Sequence, residues 1–242
     1  RKVDFAVQST LAGVATSLSK MAHDWRILAH LGEVEEPFEA EQIGSSAMPY
    51  KRNPMRSERI CALARHVIVL AQNPAFTAAT QWLERTLDDS ANRRISIPDA
   101  FMALDGCLVL AENVAKGLTV NPKVVEKNLS EHLPFMATET ILMRATARGG
   151  DRQDLHERIR QHSIEATTRM KGGSSETDLL QRIAEDKAFD ISAKELAELV
   201  NPKRFVGRAP EQVAHFLREH VTPMLERLGD KAEKLQSTEL HV

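Results

Sequence analysis

Residues 7–28 read VQSTLAGVATSLSKMAHDWRIL, and their apolar side chains recur at Val7, Leu11, Val14, Leu18, Met21, Trp25 and Leu28. Steps of four and three alternate over three heptads, the spacing of one apolar seam on an α-helix. The pattern predicts a single helix from about residue 2 to Leu31, roughly 45 Å long at 1.5 Å per residue. So long a helix with so narrow a seam wants partners crossing at a shallow angle. Working outward, Phe101, Leu104, Leu108, Ala111, Ala115 and Leu118 repeat the spacing, and Ile60, Leu63, Val67 and Leu70 follow it over a shorter run. Three antiparallel seams in one half of the chain predict an all-α fold, an elongated bundle of long helices able to continue into neighbouring subunits.

The pattern changes near Val120. Asn121-Pro122 interrupts it, and the later helical stretches are shorter, separated by Gly149-Gly150, Gly172-Gly173, Asn201-Pro202 and Gly207. Helix starts are readable at Asp151, at the capping box of Ser192 with Glu195, and at Pro210 in a first turn. These signals predict a bundle domain over residues 1–120, carrying a distinctive loop over 35–57, and a smaller all-helical domain over 121–242. No stretch alternates with period two for long enough to predict a strand, and there is no internal repeat.

The chain has 242 residues and 27.0 kDa, room for one large or two modest domains. Its 42% hydrophobic and 27% charged residues exclude disordered and collagen-like classes. With 32 basic and 34 acidic residues the formal charge is −2, so no global field points to nucleic acid or an anionic membrane, and any anion site must be local. Only 11 glycines, 10 prolines and 5% aromatics favour helix over sheet. Cys61 and Cys107 lie in apolar runs without metal-ligand spacing, so a reducing, cytoplasmic setting is expected. No apolar run reaches the ~18 residues of a membrane helix, and no basic-plus-apolar leader is present. Because a helical pattern is already running at Arg1, the chain is expected to be part of a longer one.

Between the first two seams, Glu33 to Pro54 obeys neither period and reads as a long loop, a feature usually reserved for binding loops, lids or linkers. It contains GSSAMPYKRNP at 44–54. From Lys51 to Arg59 there are four cations, Lys51, Arg52, Arg56 and Arg59, against Glu58. Such a segment can close over a polyanionic small molecule, with Asn53 and the serine hydroxyls giving directional hydrogen bonds. A solvated basic loop before a helix accounts for the composition equally well. No GxxxxGK[ST] precedes a helix here, and no aromatic platform accompanies the arginines, which disfavours nucleic acid.

A second segment, QWLERTLDDSANRR at 81–94, offers Ser90 as a helix N-cap. Arg85, Ser90 and Arg94 would then meet at a helix start suited to a phosphate. Ion pairs of these arginines with Asp88 or Asp89 are the more ordinary reading of the same residues. His23, His66, His156, His162, His215 and His220 lack HExxH spacing and read as surface or boundary residues. Met48, Met55, Met136 and Met143 read as filler.

The run at 44–54 resembles the signature loop of the fumarase/aspartase superfamily of lyases, GSSxMPxKxNP. The longer form at 45–59, the second segment at 81–94, HLPFMATE at 132–139 and GGDRQDLHE at 149–157 are similar to the adenylosuccinate-cleaving branch of that superfamily, so the resemblance covers essentially the whole chain. It implies β-elimination: adenylosuccinate to AMP plus fumarate, and the succinylated aminoimidazole carboxamide ribotide to its amide plus fumarate. By the same resemblance Ser45 is the general base, with Ser46 as the fallback, and Lys51 and Asn53 stabilise the carbanion. Met48, Arg59, Arg85, Ser90 and Arg94 match substrate-binding positions, the last three nearest the phosphate. No metal or organic cofactor is implied. The partners implied are a nucleotide substrate and three further copies in a homotetramer whose active sites are each shared among three subunits; neither nucleic acid nor membrane is expected.

A serine hydroxyl is a weak acid and can serve as base only where cations and N–H donors hold an alkoxide, which the basic run from Lys51 could supply. The resemblance puts the general acid on a histidine in a more amino-terminal segment, and no histidine here matches it. The 242 residues alone are therefore expected to be inactive, as the carboxy-terminal part of a longer enzyme. Two other readings fit less of the sequence: a non-catalytic helical assembly module on the same scaffold, and another lyase of the superfamily acting on argininosuccinate or a fumarate-type substrate.

Overall fold

The computed structural model describes residues 1–38, 48, 51–84, 86–174 and 176–229. They divide into two compact units, Arg1–Val124 and the described residues from Val125 onward.

The first unit is built on α1 (Lys2–His30), α2 (Met55–Leu70) and α4 (Asp89–Gly117), with the short α3 (Asn73–Ala79) between the last two. α2 runs antiparallel to both α1 and α4: Cys61 lies beside His23, Leu63 beside Gly106, and Ile60 beside Cys107. The core is rich in small side chains. Ala15, Ala22, Ala64 and Cys107 are fully buried, which lets the backbones approach closely, while Ile60, Val67, Leu104 and Leu110 fill the remaining space.

The seam of α1 is turned by one residue from its expected position. Gln8, Ala15 and Ala22 are its buried residues; Leu11, Leu18, Met21 and Trp25 pack partly buried against the core, and Val14 is exposed. On α4 the core takes Leu104, Cys107, Leu110, Ala111 and Val114, whereas Phe101 and Leu108 of the expected seam face outward.

Gly32, at a positive φ of 71°, stops α1 by turning the chain back, with its N–H bonded to the Ala29 carbonyl. A two-residue strand, β1 (Val34–Glu35), then pairs antiparallel with β2 (Thr119–Val120), which follows α4. Pairs this short leave no periodic trace in a sequence. Asn121 reinforces the join, its N–H bonded to the Glu33 carbonyl and its side-chain amide to the Gly32 carbonyl.

α5 (Pro122–Met136) leads into the second unit, whose core lies among α6 (Thr138–Ala147), α7 (Arg152–Lys171), α8 (Leu179–Glu185) and α9 (Ala193–Leu199). Ile141, Leu155, Leu179, Ile183, Phe189 and Leu196 are each at most 2% exposed. The expected starts are present: Asp151 accepts from the N–H groups of Gln153 and Asp154, and Ser192 and Glu195 form a complete capping box. α10 (Ala209–Phe216) begins with Pro210 in its first turn and continues through a π-helical turn, Leu217–Val221, into α11 (Thr222–Leu228). Met136 and Met143, expected to fill gaps, are largely exposed instead. Among the described residues, no helix is long and apolar enough to cross a membrane.

Candidate active site

The described part of the signature segment enters α2 from its N-terminal side. Lys51 is exposed and its N–H bonds to the Met48 carbonyl; Asn53 is half-buried and its carbonyl accepts from the Met55 N–H at 2.8 Å. Arg52 pairs with Glu35 at 3.0 Å and lies over the Phe38 ring, 5.0 Å from its centroid. Arg59 is exposed on the first turns of α2. Ser45 and Ser46 lie outside the described residues, as does Arg85.

The residues that hold this segment were not signalled by any motif. Pro54 precedes α2 and provides no side-chain cap. Instead the Glu36 carboxylate reaches across: Oε2 accepts from the Arg56 N–H at 3.0 Å and Oε1 from the Ser57 N–H at 2.7 Å. The Ser57 hydroxyl donates to the same Oε1. Arg56, only 3% exposed, donates through its guanidinium to the Pro37 carbonyl. A carboxylate at a helix N-terminus meets both the orphaned N–H groups and the positive end of the helix dipole.

Beside the segment is an open cleft of about 650 Å³, lined by His23, Arg26, Ile27, His30, Arg52, Asn53 and Glu58 among others. Ligand sites commonly fall in the range of roughly 300–1,000 Å³. The cleft wall carries the cations Arg26 and Arg52 together with Asn53 and the acidic Glu58, and Arg52 is already paired with Glu35. Arg26 and His30 belong to the α1 pattern, where nothing distinguished them from surface residues. Among the described residues, no group of three or more His, Cys, Asp or Glu is placed to hold a metal ion.

The second segment lies elsewhere. Ser90 is not an N-cap: α4 begins at Asp89, with Asp88 in the cap position, and Ser90 sits within the first turn. Its Oγ accepts from the Arg94 guanidinium at 2.6 Å, so these two residues do meet. Asp89 pairs with Arg1 at 2.7 Å, and Arg93 pairs with Asp4 at 2.7 Å. These bonds fix Ser90 and Arg94 at the amino-terminal end of α1, while Asn53 adjoins Ala29 near the other end. With 29 residues between Lys2 and His30, the two groups are separated by about 40 Å of helix at 1.5 Å per residue. One copy of the chain does not bring them together.

A family profile described as "Adenylosuccinate lyase C-terminus" matches residues 134–216, and one described as "Lyase" matches residues 3–69. Adenylosuccinate lyase of Saccharomyces cerevisiae is 48% identical over 239 residues, covering 97% of this chain and 50% of the yeast protein. Among solved structures, 3-carboxy-cis,cis-muconate lactonizing enzyme from Pseudomonas putida superposes with a TM-score of 0.76 at 26% identity, over 92% of this chain and 48% of that one. Fumarate lyase from Mesorhizobium sp. gives 0.74 at 25% identity, over 90% and 47%. The chain thus spans about half the length of the relatives it matches. The helical architecture, the signature segment leading into α2 and this degree of identity lead to one conclusion: the chain belongs to the adenylosuccinate lyase family of the fumarase/aspartase superfamily.

Proposed function

We propose that these residues form part of an enzyme that eliminates fumarate from adenylosuccinate, leaving AMP, and from the succinylated aminoimidazole carboxamide ribotide, leaving its amide. The observation that carries this reading is the signature itself, which runs directly into α2 inside the stretch matched by the lyase profile.

In the proposed reaction Ser45, with Ser46 as the alternative, takes a proton from the succinyl carbon next to the carbon bonded to nitrogen. Lys51 and Asn53 hold the carboxylate on which the resulting negative charge spreads. The C–N bond then breaks, its electron pair leaving on the exocyclic amino nitrogen of adenylosuccinate or the carboxamide nitrogen of the ribotide. That nitrogen takes up a proton from the general acid, which no histidine of these 242 residues matches. Arg59, Met48, Arg85, Ser90 and Arg94 bind the nucleotide, Arg94 with Ser90 and Arg85 at the phosphate. The substrate carries two carboxylates and a phosphate, so several guanidinium and ammonium groups are required by charge alone. Loss of one donor to the developing carbanion should lower turnover by on the order of 10²-fold.

The 40 Å of helix between Asn53 and Ser90 supports a shared site. We propose a homotetramer in which one copy supplies the signature segment and another supplies Ser90 and Arg94, three subunits meeting at each site. Ile95, Phe101, Met102 and Leu108, 46–70% exposed along α4, are available for such contacts. Residues 1–242 alone are proposed not to turn over substrate. A cytoplasmic location accords with two buried, unpaired thiols.

The test is to incubate the full-length protein with adenylosuccinate and follow the succinyl-nucleotide absorbance together with fumarate by chromatography. Release of fumarate, inhibited by AMP and not by arginine, is expected. No fumarate from folded full-length protein would refute the proposal.

A further inference from the structure

Glu36 stands outside the signature and takes no part in the chemistry described above, yet its carboxylate holds the helix start into which the segment leads. We propose that Glu36 is a positioning residue: by capping the first turn of α2 it fixes the place from which Lys51 and Asn53 act on substrate. The inference rests on the lyase reading for its kinetic consequence, though not for the clamp itself.

The Arg56 and Ser57 N–H groups lie in the first turn of α2, where no intrahelical carbonyl is available to them. Glu36 supplies an acceptor to each, at 3.0 and 2.7 Å, across 20 and 21 residues of sequence. The next residue, Pro37, accepts from the Arg56 guanidinium, and Glu35 on the other side pairs with Arg52. Residues 35–37 are therefore bound to 52, 56 and 57 at three successive positions. Asn53 sits inside that frame and Lys51 at its edge. Every contact of Glu36 here is with a donor, which a carboxylate satisfies with both oxygens. A glutamine of the same shape has one acceptor oxygen and must turn an NH₂ group toward one of the donors. The helix start would shift, and Lys51 and Asn53 would shift with it. Misplacement by about 1 Å can cost on the order of 10²-fold in rate.

Two measurements on the full-length protein test this. In the unsubstituted protein, hydrogen exchange should show the Arg56 and Ser57 amides protected comparably to the interior of α2; exchange as fast as an uncapped first turn would overturn the clamp. In Glu36→Gln, kcat for adenylosuccinate should fall at least about tenfold with KM within about threefold, because the displaced groups act on charge that develops in the transition state. A folded variant with unchanged kcat, or with only KM raised, would overturn the positioning role. If Glu36→Gln does not fold, the exchange measurement decides. If the unsubstituted enzyme releases no fumarate, the lyase reading fails while the exchange result still judges the clamp.

Discussion

Gly117, the last residue of α4, lies against Pro37 so closely that a Cβ added to the glycine would stand 2.6 Å from the proline Cβ. Neither backbone nor ring can yield cheaply there, because Pro37 is tethered through its carbonyl to Arg56. Gly117→Ala should lower the stability of the chain by about 1–3 kcal/mol, as overpacking does. In the full-length enzyme it should lower turnover as well, through displacement of Pro37 and its neighbour Glu36. Denaturant unfolding and steady-state kinetics check the two parts; unchanged stability would show that the close approach is absent.

The rotated seam of α1 gives a second test. Ala22 is fully buried against α2 and α4, so Ala22→Leu should cost about 1–3 kcal/mol by forcing the helices apart. Were the seam centred on Met21 and Trp25 as the periodicity alone predicts, the added side chain would be tolerated.

Much of this architecture was legible in the sequence. The extent of α1, the capping residues at Asp151 and Ser192, and Pro210 in its first turn all report local backbone preferences that tertiary contacts reinforce. The seam was displaced because alanine and glutamine carry little hydropathic weight, and close helix packing selects Ala15 and Ala22 for size rather than for hydrophobicity. Phe101 and Leu108 share the spacing of Leu104 and Ala111, so a single stripe could not be divided into buried and exposed halves. Ser90 lost the cap position to Asp88 by two residues, within the usual uncertainty of helix boundaries. The signature motif was readable, but its support was not: Glu36 acts across some 20 residues, where spacing carries no information.

In the second unit, the Arg148 guanidinium hydrogen-bonded to Glu195, with further bonds from Ser192, holds the Glu195 carboxyl at about 2, below its ordinary 4.5. A carboxylate depressed in the folded state adds stability above its unfolded pKa, and that contribution is lost as pH falls through the folded value. The difference in melting temperature between the chain and Glu195→Gln should therefore be greatest above about pH 4.5 and shrink toward pH 2. A difference that does not change with pH would exclude an ionic role for Glu195.

Burial, with a smaller contribution from Cys61, pushes the Cys107 thiol up to about 11. Because the thiolate is the reactive form, Cys107 should resist maleimide at pH 8 in the folded chain and react promptly in denaturant. Mass spectrometry of the digested chain reads the outcome, and rapid labelling under native conditions would mean that the α2–α4 contact opens.

In the proposed shared site, Lys51 and Arg94, held at opposite ends of one long bundle, serve one active site only when they come from different copies. Full-length Lys51→Ala and Arg94→Ala, each nearly inactive in kcat/KM, should be unfolded, mixed in equal amounts and refolded together. If each site draws the two residues from separate subunits, random assembly restores about a quarter of the unsubstituted kcat/KM. Recovery near that level is the expected result. Activity no higher than that of the separately refolded variants, in a mixture that has formed hybrid oligomers, would contradict it.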